Sequence, residues 1–228
     1  MPLHASERFR GKSSRGLYGD VVSELDWSVG EVLRTLKDEG LDNNTIVFFS
    51  SDNGPWLTQF ANGGSAGLLK DGKSSTWEGG MREPFIARWP GKIPAGVVTQ
   101  AFGSTLDVFP TFAKLAGAEI PKDRVYDGQD LGPVLFQRQS RGETLFFYYW
   151  GDELRAVRKG DWKLHIAVNN TFPNSTPMEK LATPQLYHLT RDPSEKYDVS
   201  DSNPAVVKDL LAALEEHQRG MKPGPRQR

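Results

Sequence analysis

Thr45-Ile46-Val47-Phe48-Phe49-Ser50-Ser51-Asp52-Asn53-Gly54-Pro55 decides how the rest of this chain is read. The β-branched and aromatic run at its start predicts a buried strand over residues 45–50, stopped by a cluster of turn formers. An Asp-Asn pair just past a strand sets two hard oxygen donors at its carboxyl end, where open α/β sheets bind ligands and metals. Asp-Asn-Gly-Pro is equally a good turn, each residue for its own steric reason. Taken alone, the stretch leaves a metal site and a plain turn both open.

Upstream, Val22, Leu25, Val29, Val32, Leu33 and Leu36 recur at three- and four-residue spacing and predict a helix over residues 18–39. Helix, short loop and buried strand make half of a βαβ unit, which implies a parallel sheet. Downstream, Phe85-Ile86-Ala87-Arg88-Trp89 predicts a second strand stopped by Pro90-Gly91, and residues 107–116 a helix with Pro110 tolerated in its first turn. From Gly142 the character changes. Residues 145–150, 154–158 and 162–166 predict short aromatic-rich strands, the last two joined by a turn at Lys159-Gly160-Asp161. Residues 185–189 add a fourth strand. Asn203-Pro204 opens a helix over residues 205–219, with Asn203 as its cap. Residues 169–183 and the stretch from 222 onward read as loops. The expected fold class is therefore α/β. An α/β portion over residues 1–140 is followed by a small antiparallel sheet with one packing helix over residues 141–228.

Composition narrows the function classes. Of 228 residues, 37% are hydrophobic and 25% charged, as in an ordinary globular chain. The 28 basic and 29 acidic side chains leave a formal charge of −1, so no basic field favours nucleic acid or an anionic membrane. No apolar run approaches the ~20 residues of a membrane span, and the first residues lack the apolar core of a signal peptide. With no cysteine, thiolate metal sites and disulfides are excluded, but the compartment is not fixed. Sequons at Asn43, Asn169 and Asn174 matter only in a secretory pathway.

The Asp-Asn turn is followed by Gly63-Gly64-Ser65-Ala66-Gly67-Leu68-Leu69-Lys70-Asp71-Gly72-Lys73, then Ser74-Ser75-Thr76-Trp77-Glu78-Gly79-Gly80-Met81-Arg82-Glu83-Pro84. Glycines let backbone approach a ligand closely, and Lys73 is a compact point charge suited to a tetrahedral anion, or else a solvated lysine. Arg82 beside Glu78 and Glu83 reads as a buried ion pair bracing this loop. These motifs resemble the second half of a sulfatase of the arylsulfatase A and N-acetylgalactosamine-6-sulfatase types, in the alkaline-phosphatase superfamily. The resemblance continues through Trp89-Pro90-Gly91, Leu106-Asp107-Val108-Phe109-Pro110-Thr111, Asp127-Gly128-Gln129-Asp130-Leu131 and Ala156-Val157-Arg158-Lys159-Gly160-Asp161-Trp162-Lys163-Leu164. Several ordered motifs at matching spacing make a specific signal.

The resemblance implies hydrolysis of a sulfate ester, aryl or carbohydrate. Asp52 and Asn53 would be two ligands of Ca²⁺ or Mg²⁺ in the complete enzyme, and Lys73 would be the catalytic residue that contacts the sulfate. Weak or no metal binding is expected of this chain alone, because Ca²⁺ takes ~6–8 oxygens. The family's formylglycine arises from Cys or Ser in a Cys/Ser-x-Pro-x-Arg motif. This chain has no Cys, and Ser175-Thr176-Pro177-Met178-Glu179 ends in Glu where Arg should stand. The family's amino-terminal aspartate pair also lacks a counterpart, and His4 is only the neighbour of its substrate-contacting His. The expectation is a chain carrying the carboxyl-terminal part of a sulfatase, dependent on a missing amino-terminal half and inactive alone. Two rivals stand beside it: a phosphoric or phosphonic ester hydrolase, and a non-catalytic module binding a sulfated glycan. Trp150, Asp152 and Glu153 are read as cleft-lining or as a plain hairpin connection, His165 and His188 as sheet residues, and His217 as solvated.

Overall fold

The computed structural model describes residues 3–173 and 175–221 of the chain; the sequon at Asn174 and the tail from residue 222 lie outside them. In chain order the elements are α1 (Gly16–Asp38), β1 (Val47–Ser50), α2 (Glu78–Met81), β2 (Phe85–Arg88), α3 (Val108–Leu115) and α4 (Gly132–Gln137), then β3 (Leu145–Trp150), β4 (Glu153–Lys159), β5 (Trp162–Val168), β6 (Glu179–His188) and α5 (Pro204–Gly220). The fold is mixed α/β with two small antiparallel sheets. It divides into two compact units, one comprising Met1–Asp26, Ser51–Pro84 and Thr144–Arg228, the other Trp27–Ser50 and Phe85–Glu143.

In the second unit, β1 pairs antiparallel with β2 from Val47↔Arg88 to Ser50↔Phe85. This corrects the parallel pairing implied by a βαβ unit. The chain leaving β1 returns as its immediate neighbour in the opposite direction, and no parallel pair forms among the described residues. The Phe48 ring lies 5.0 Å from that of Phe85 and 5.1 Å from that of Phe112. Arg88 grips Asp42 through two hydrogen bonds of 2.5 and 2.9 Å. Deeper, the Asp107 carboxylate accepts from the Ser104 and Gln129 backbone N–H groups at 2.7 Å each, and from both Arg141 terminal nitrogens at 2.5 and 2.8 Å. Asp107 thus caps the turn entering α3 and ties the segment around Gln129 to it.

The first unit is organised by the meander β3-β4-β5-β6, antiparallel throughout. The β4–β5 hairpin turns where expected, with Gly160 at φ 58°. Strand β6 begins at Glu179, inside a stretch that reads as a loop because its first residues are polar. Val157, Leu164, Leu186, Leu210 and Leu214 form the buried core between sheet and α5, each stabilising by roughly 1.5–3 kcal/mol. Asn203 opens α5, but its side-chain amide donates to the Val199 carbonyl rather than capping the helix. Its backbone carbonyl accepts from Val206 and Val207 instead. Along α1 the expected apolar stripe is not a core face: Val22, Leu25 and Val32 are 45%, 51% and 56% exposed.

Candidate active site

The turn after β1 is held by backbone contacts that only glycines permit. The Gly54 N–H donates to the Gly80 carbonyl at 3.2 Å, and a Cβ on Gly54 would lie 1.9 Å from the Gly79 carbonyl oxygen. A Cβ on Gly72 would lie 2.3 Å from the Pro55 oxygen, which accepts from the Lys73 N–H at 2.9 Å. Pro55 therefore joins the Asp52-Asn53 turn to the loop carrying Lys73. Asp52 and Lys73 are exposed and Asn53 is half-buried. The Lys73 Nζ stands 5.3 Å from the Trp56 ring centre, close enough for a cation–π attraction.

Two sets of contacts brace that loop, the first part-buried and the second buried. Asp71, at φ 61°, accepts from the Thr171 N–H at 2.7 Å and from the Thr171 hydroxyl, and its other contact is the Gly72 N–H at 2.8 Å. Around α2, Glu78 is 1% exposed and Glu195, Lys163 and His165 are 0% exposed. The Lys163 ammonium donates to the Thr76 carbonyl at 2.8 Å and to Glu78 Oε1 at 2.9 Å. It also stands 3.1 Å from Glu195 Oε1. Glu195 accepts the Glu78 N–H at 2.5 Å, and its other oxygen is 2.7 Å from His165 Nε2. Tyr148 Oη donates to Glu78 at 3.3 Å, and burial pushes that phenol up.

Burial would raise the Glu195 carboxyl, but the Lys163 charge, the His165 hydrogen bond and the Glu78 N–H outweigh it and hold it at about 2. Burial lowers His165 below its ordinary value despite Glu195 beside it, so its neutral form is favoured. Lys70 is also lowered by burial, with its Nζ 3.3 Å from the Trp77 ring centre. Lys163 and His165 escaped sequence reading as a pair, although their i,i+2 spacing on a strand puts both on one face. Glu195 carries no local signal at all.

Of the other expectations, those for Arg82 and His217 move, while His4 and His188 stand where expected. Arg82 is exposed; Glu78 braces the loop with Lys163, and with Arg158 at 3.9 Å. His217 is not simply solvated: its ring stacks on Phe147 at 3.7 Å and its Nε2 lies 2.7 Å from Tyr149 Oη. His4 is exposed, with Nδ1 3.3 Å from Arg10. His188 packs edge-on against Trp162 at 4.6 Å. Glu153 pairs with Arg155 at 3.2 Å and Trp150 is 49% exposed. The sequon asparagine Asn169 is buried, its side chain engaged by Arg155 and donating to the Ser74 carbonyl, whereas Asn43 is exposed.

Asp52 and Asn53 offer hard oxygens of the kind Ca²⁺ and Mg²⁺ prefer. Glu83 adds a buried Oε1 without a hydrogen-bond partner; burial and then the Asp52 charge raise its carboxyl. Such crowded carboxylates suit a hard cation, although Ca²⁺ takes ~6–8 oxygens. Among the described residues no group of three or more His, Cys, Asp or Glu could hold a metal.

Residues 1–118 match the family model Sulfatase, and residues 141–228 match the C-terminal region of aryl-sulfatase. N-acetylgalactosamine-6-sulfatase of Canis lupus familiaris is 41% identical over 98% of this chain and 47% of its own length. Arylsulfatase A of Bos taurus is 40% identical over 94% of this chain and 45% of its own. The PsFucS1 sulfatase structure from Pseudoalteromonas sp. superposes with a TM-score of 0.89 at 28% identity, over 98% of this chain and 46% of that one. The alkaline-phosphatase-like α/β fold is thus shared with a solved sulfatase. The chain belongs to the sulfatase family. It spans about half the length of the curated relatives it matches.

Proposed function

We propose that this chain contributes the metal-and-sulfate side of a formylglycine-type sulfuric ester hydrolase. Asp52 and Asn53 would hold a divalent cation, Ca²⁺ or Mg²⁺, and Lys73 would bind the sulfate group of an aryl or carbohydrate ester. The observation that carries this is the Lys73 N–H···O=C Pro55 bond of 2.9 Å, which packs the lysine loop on the Asp52-Asn53 turn. That bond brings the backbone of exposed Lys73 to the turn of exposed Asp52 and half-buried Asn53. An ammonium, a carboxylate and an amide oxygen together suit a tetrahedral dianion bridged to a cation. When bound, the cation supplies Lewis-acid stabilisation of charge on the sulfate oxygens. Lys73 orients the sulfate and offsets its charge as the ester bond weakens.

The nucleophile has no counterpart in these 228 residues, which hold neither Cys nor a Ser-x-Pro-x-Arg motif. In this reading it is supplied by further polypeptide of amino-terminal sulfatase type, and the present chain turns over no substrate alone, since losing one member of such a unit removes most catalysis. The portions 1–140 and 141–228 then serve as catalytic-domain remainder and supporting sheet. The test is an amide NMR titration of the full chain with calcium chloride and with sodium sulfate. Calcium should shift Asp52 and Asn53, and sulfate should shift Lys73; Asp52→Ala and Lys73→Ala should each remove its own response. Shifts confined to other residues would overturn the assignment, as would aryl sulfate turnover by this chain for the claim of inactivity.

A further inference from the structure

Lys163 lies 110 positions beyond Asn53 in the sequence, on β5, yet it is bonded into the turn that packs under the Asp52-Asn53 loop. A lysine ammonium has three donors and no acceptor. Here three acceptors meet it: Thr76 O at 2.8 Å, Glu78 Oε1 at 2.9 Å and Glu195 Oε1 at 3.1 Å. All three carboxylate and ammonium groups are withdrawn from water, Lys163 and Glu195 at 0% and Glu78 at 1% exposure. A buried charge of this kind is costly unless fully paired, so the arrangement tolerates little displacement.

The turn so held reaches the site at two points. Gly80 offers its carbonyl to the Gly54 N–H, one residue after Asn53. Ser75, in the same turn, donates through its N–H at 3.2 Å and its Oγ at 2.9 Å to the Gly72 carbonyl, one residue before Lys73. Gly79 closes the other side by donating to Lys70 O at 2.8 Å. We propose that Lys163 is a positioning residue for this site: its ammonium anchors the 75–80 turn to the C-terminal sheet, and that turn sets the backbone at Gly54 and Lys73. The proposal rests on the reading that Asp52, Asn53 and Lys73 form the cation and sulfate site. Arg at 163 would not substitute, because a planar fork cannot present three donors to acceptors arranged around one nitrogen.

Native-state hydrogen exchange on the full chain tests it, comparing Lys163→Met with Leu210→Ala, a core truncation under the same sheet. In Lys163→Met the Gly54, Lys73, Gly79 and Gly80 amides should exchange at least about tenfold faster relative to the β4–β5 ladder, the scale of a lost charge-assisted bond. In Leu210→Ala loop and ladder should accelerate together. Parallel acceleration in both variants, or unchanged loop amides in Lys163→Met, would overturn the proposal. Should Lys163→Met fail to fold, Glu78→Gln decides. It should loosen the same four amides while the ladder stays protected, and unchanged amides there count against positioning. Sodium sulfate is titrated in parallel, with a weaker Lys73 response expected in Lys163→Met and Lys163→Arg. A wild-type chain whose Lys73 amide ignores sulfate would sink the sulfate reading, while the exchange rates still decide the positioning role.

Discussion

The Lys73 N–H donates to the Pro55 carbonyl at 2.9 Å, joining two loops 18 positions apart in the sequence. Gly72 makes the approach possible, since any side chain there would strike the same carbonyl. This bond places an ammonium-bearing loop on the turn that carries Asp52 and Asn53.

Lys73→Ala should leave stability within about 0.5 kcal/mol of the parent, because the side chain is exposed and removing it opens no cavity. The sulfate-induced shift at this loop should vanish. Thermal unfolding and the sulfate titration, run on one sample, check both halves.

Gly54→Ala should destabilise by about 1–3 kcal/mol, the usual cost of forcing atoms into packed backbone, because its Cβ would lie 1.9 Å from the Gly79 carbonyl. Gly30→Ala is the opposite case. Inside α1 its Cβ meets nothing within 4 Å, so it should stabilise by about 0.5–1 kcal/mol. Urea denaturation of the two variants should give shifts of opposite sign.

Acid should weaken the first unit in two stages. His165 sits below its ordinary 6.5 in the folded chain, so the unfolded state binds its proton first and stability falls as pH drops below about 6.5. Glu195 is held at about 2 against an ordinary 4.5. Its contribution is complete above about 4.5 and is lost as pH falls toward 2, on the order of 3 kcal/mol in all. Melting temperatures from pH 8 to pH 3 should decline through both windows; a flat profile from pH 7 to 5 would contradict the His165 part.

Arg141→Met should cost about 3 kcal/mol, the lower end for stranding a buried partner. Asp107 is 1% exposed and would keep only its two backbone donors, Ser104 and Gln129. Adding Asp107→Asn should recover part of the loss, and a double-mutant cycle by urea unfolding measures how much.

Much of the local structure was legible. The periodicity of α1 and α5, the aromatic runs of β3 to β5 and the Gly160 hairpin all depend on neighbours within a few residues. The start of β6 was not, because polar residues there are recruited by pairing with Ala167 and Val168 across the sheet. Similarly, apolar spacing in α1 predicts a helix but cannot say what covers its stripe, and Val32 stands more than half exposed.

The sequence by itself determined the family, because Asp52-Asn53-Gly54, Gly72-Lys73 and Glu78-Gly79-Gly80 are contiguous motifs whose order and spacing survive without coordinates. Tertiary structure alone decided the antiparallel pairing of β1 with β2, and the partners of Glu78, which are Lys163 and Arg158 rather than Arg82. Strand direction and buried charge pairing are set by how distant segments meet. A carboxylate removed from water takes whichever cation the fold brings within reach, not the one nearest along the chain.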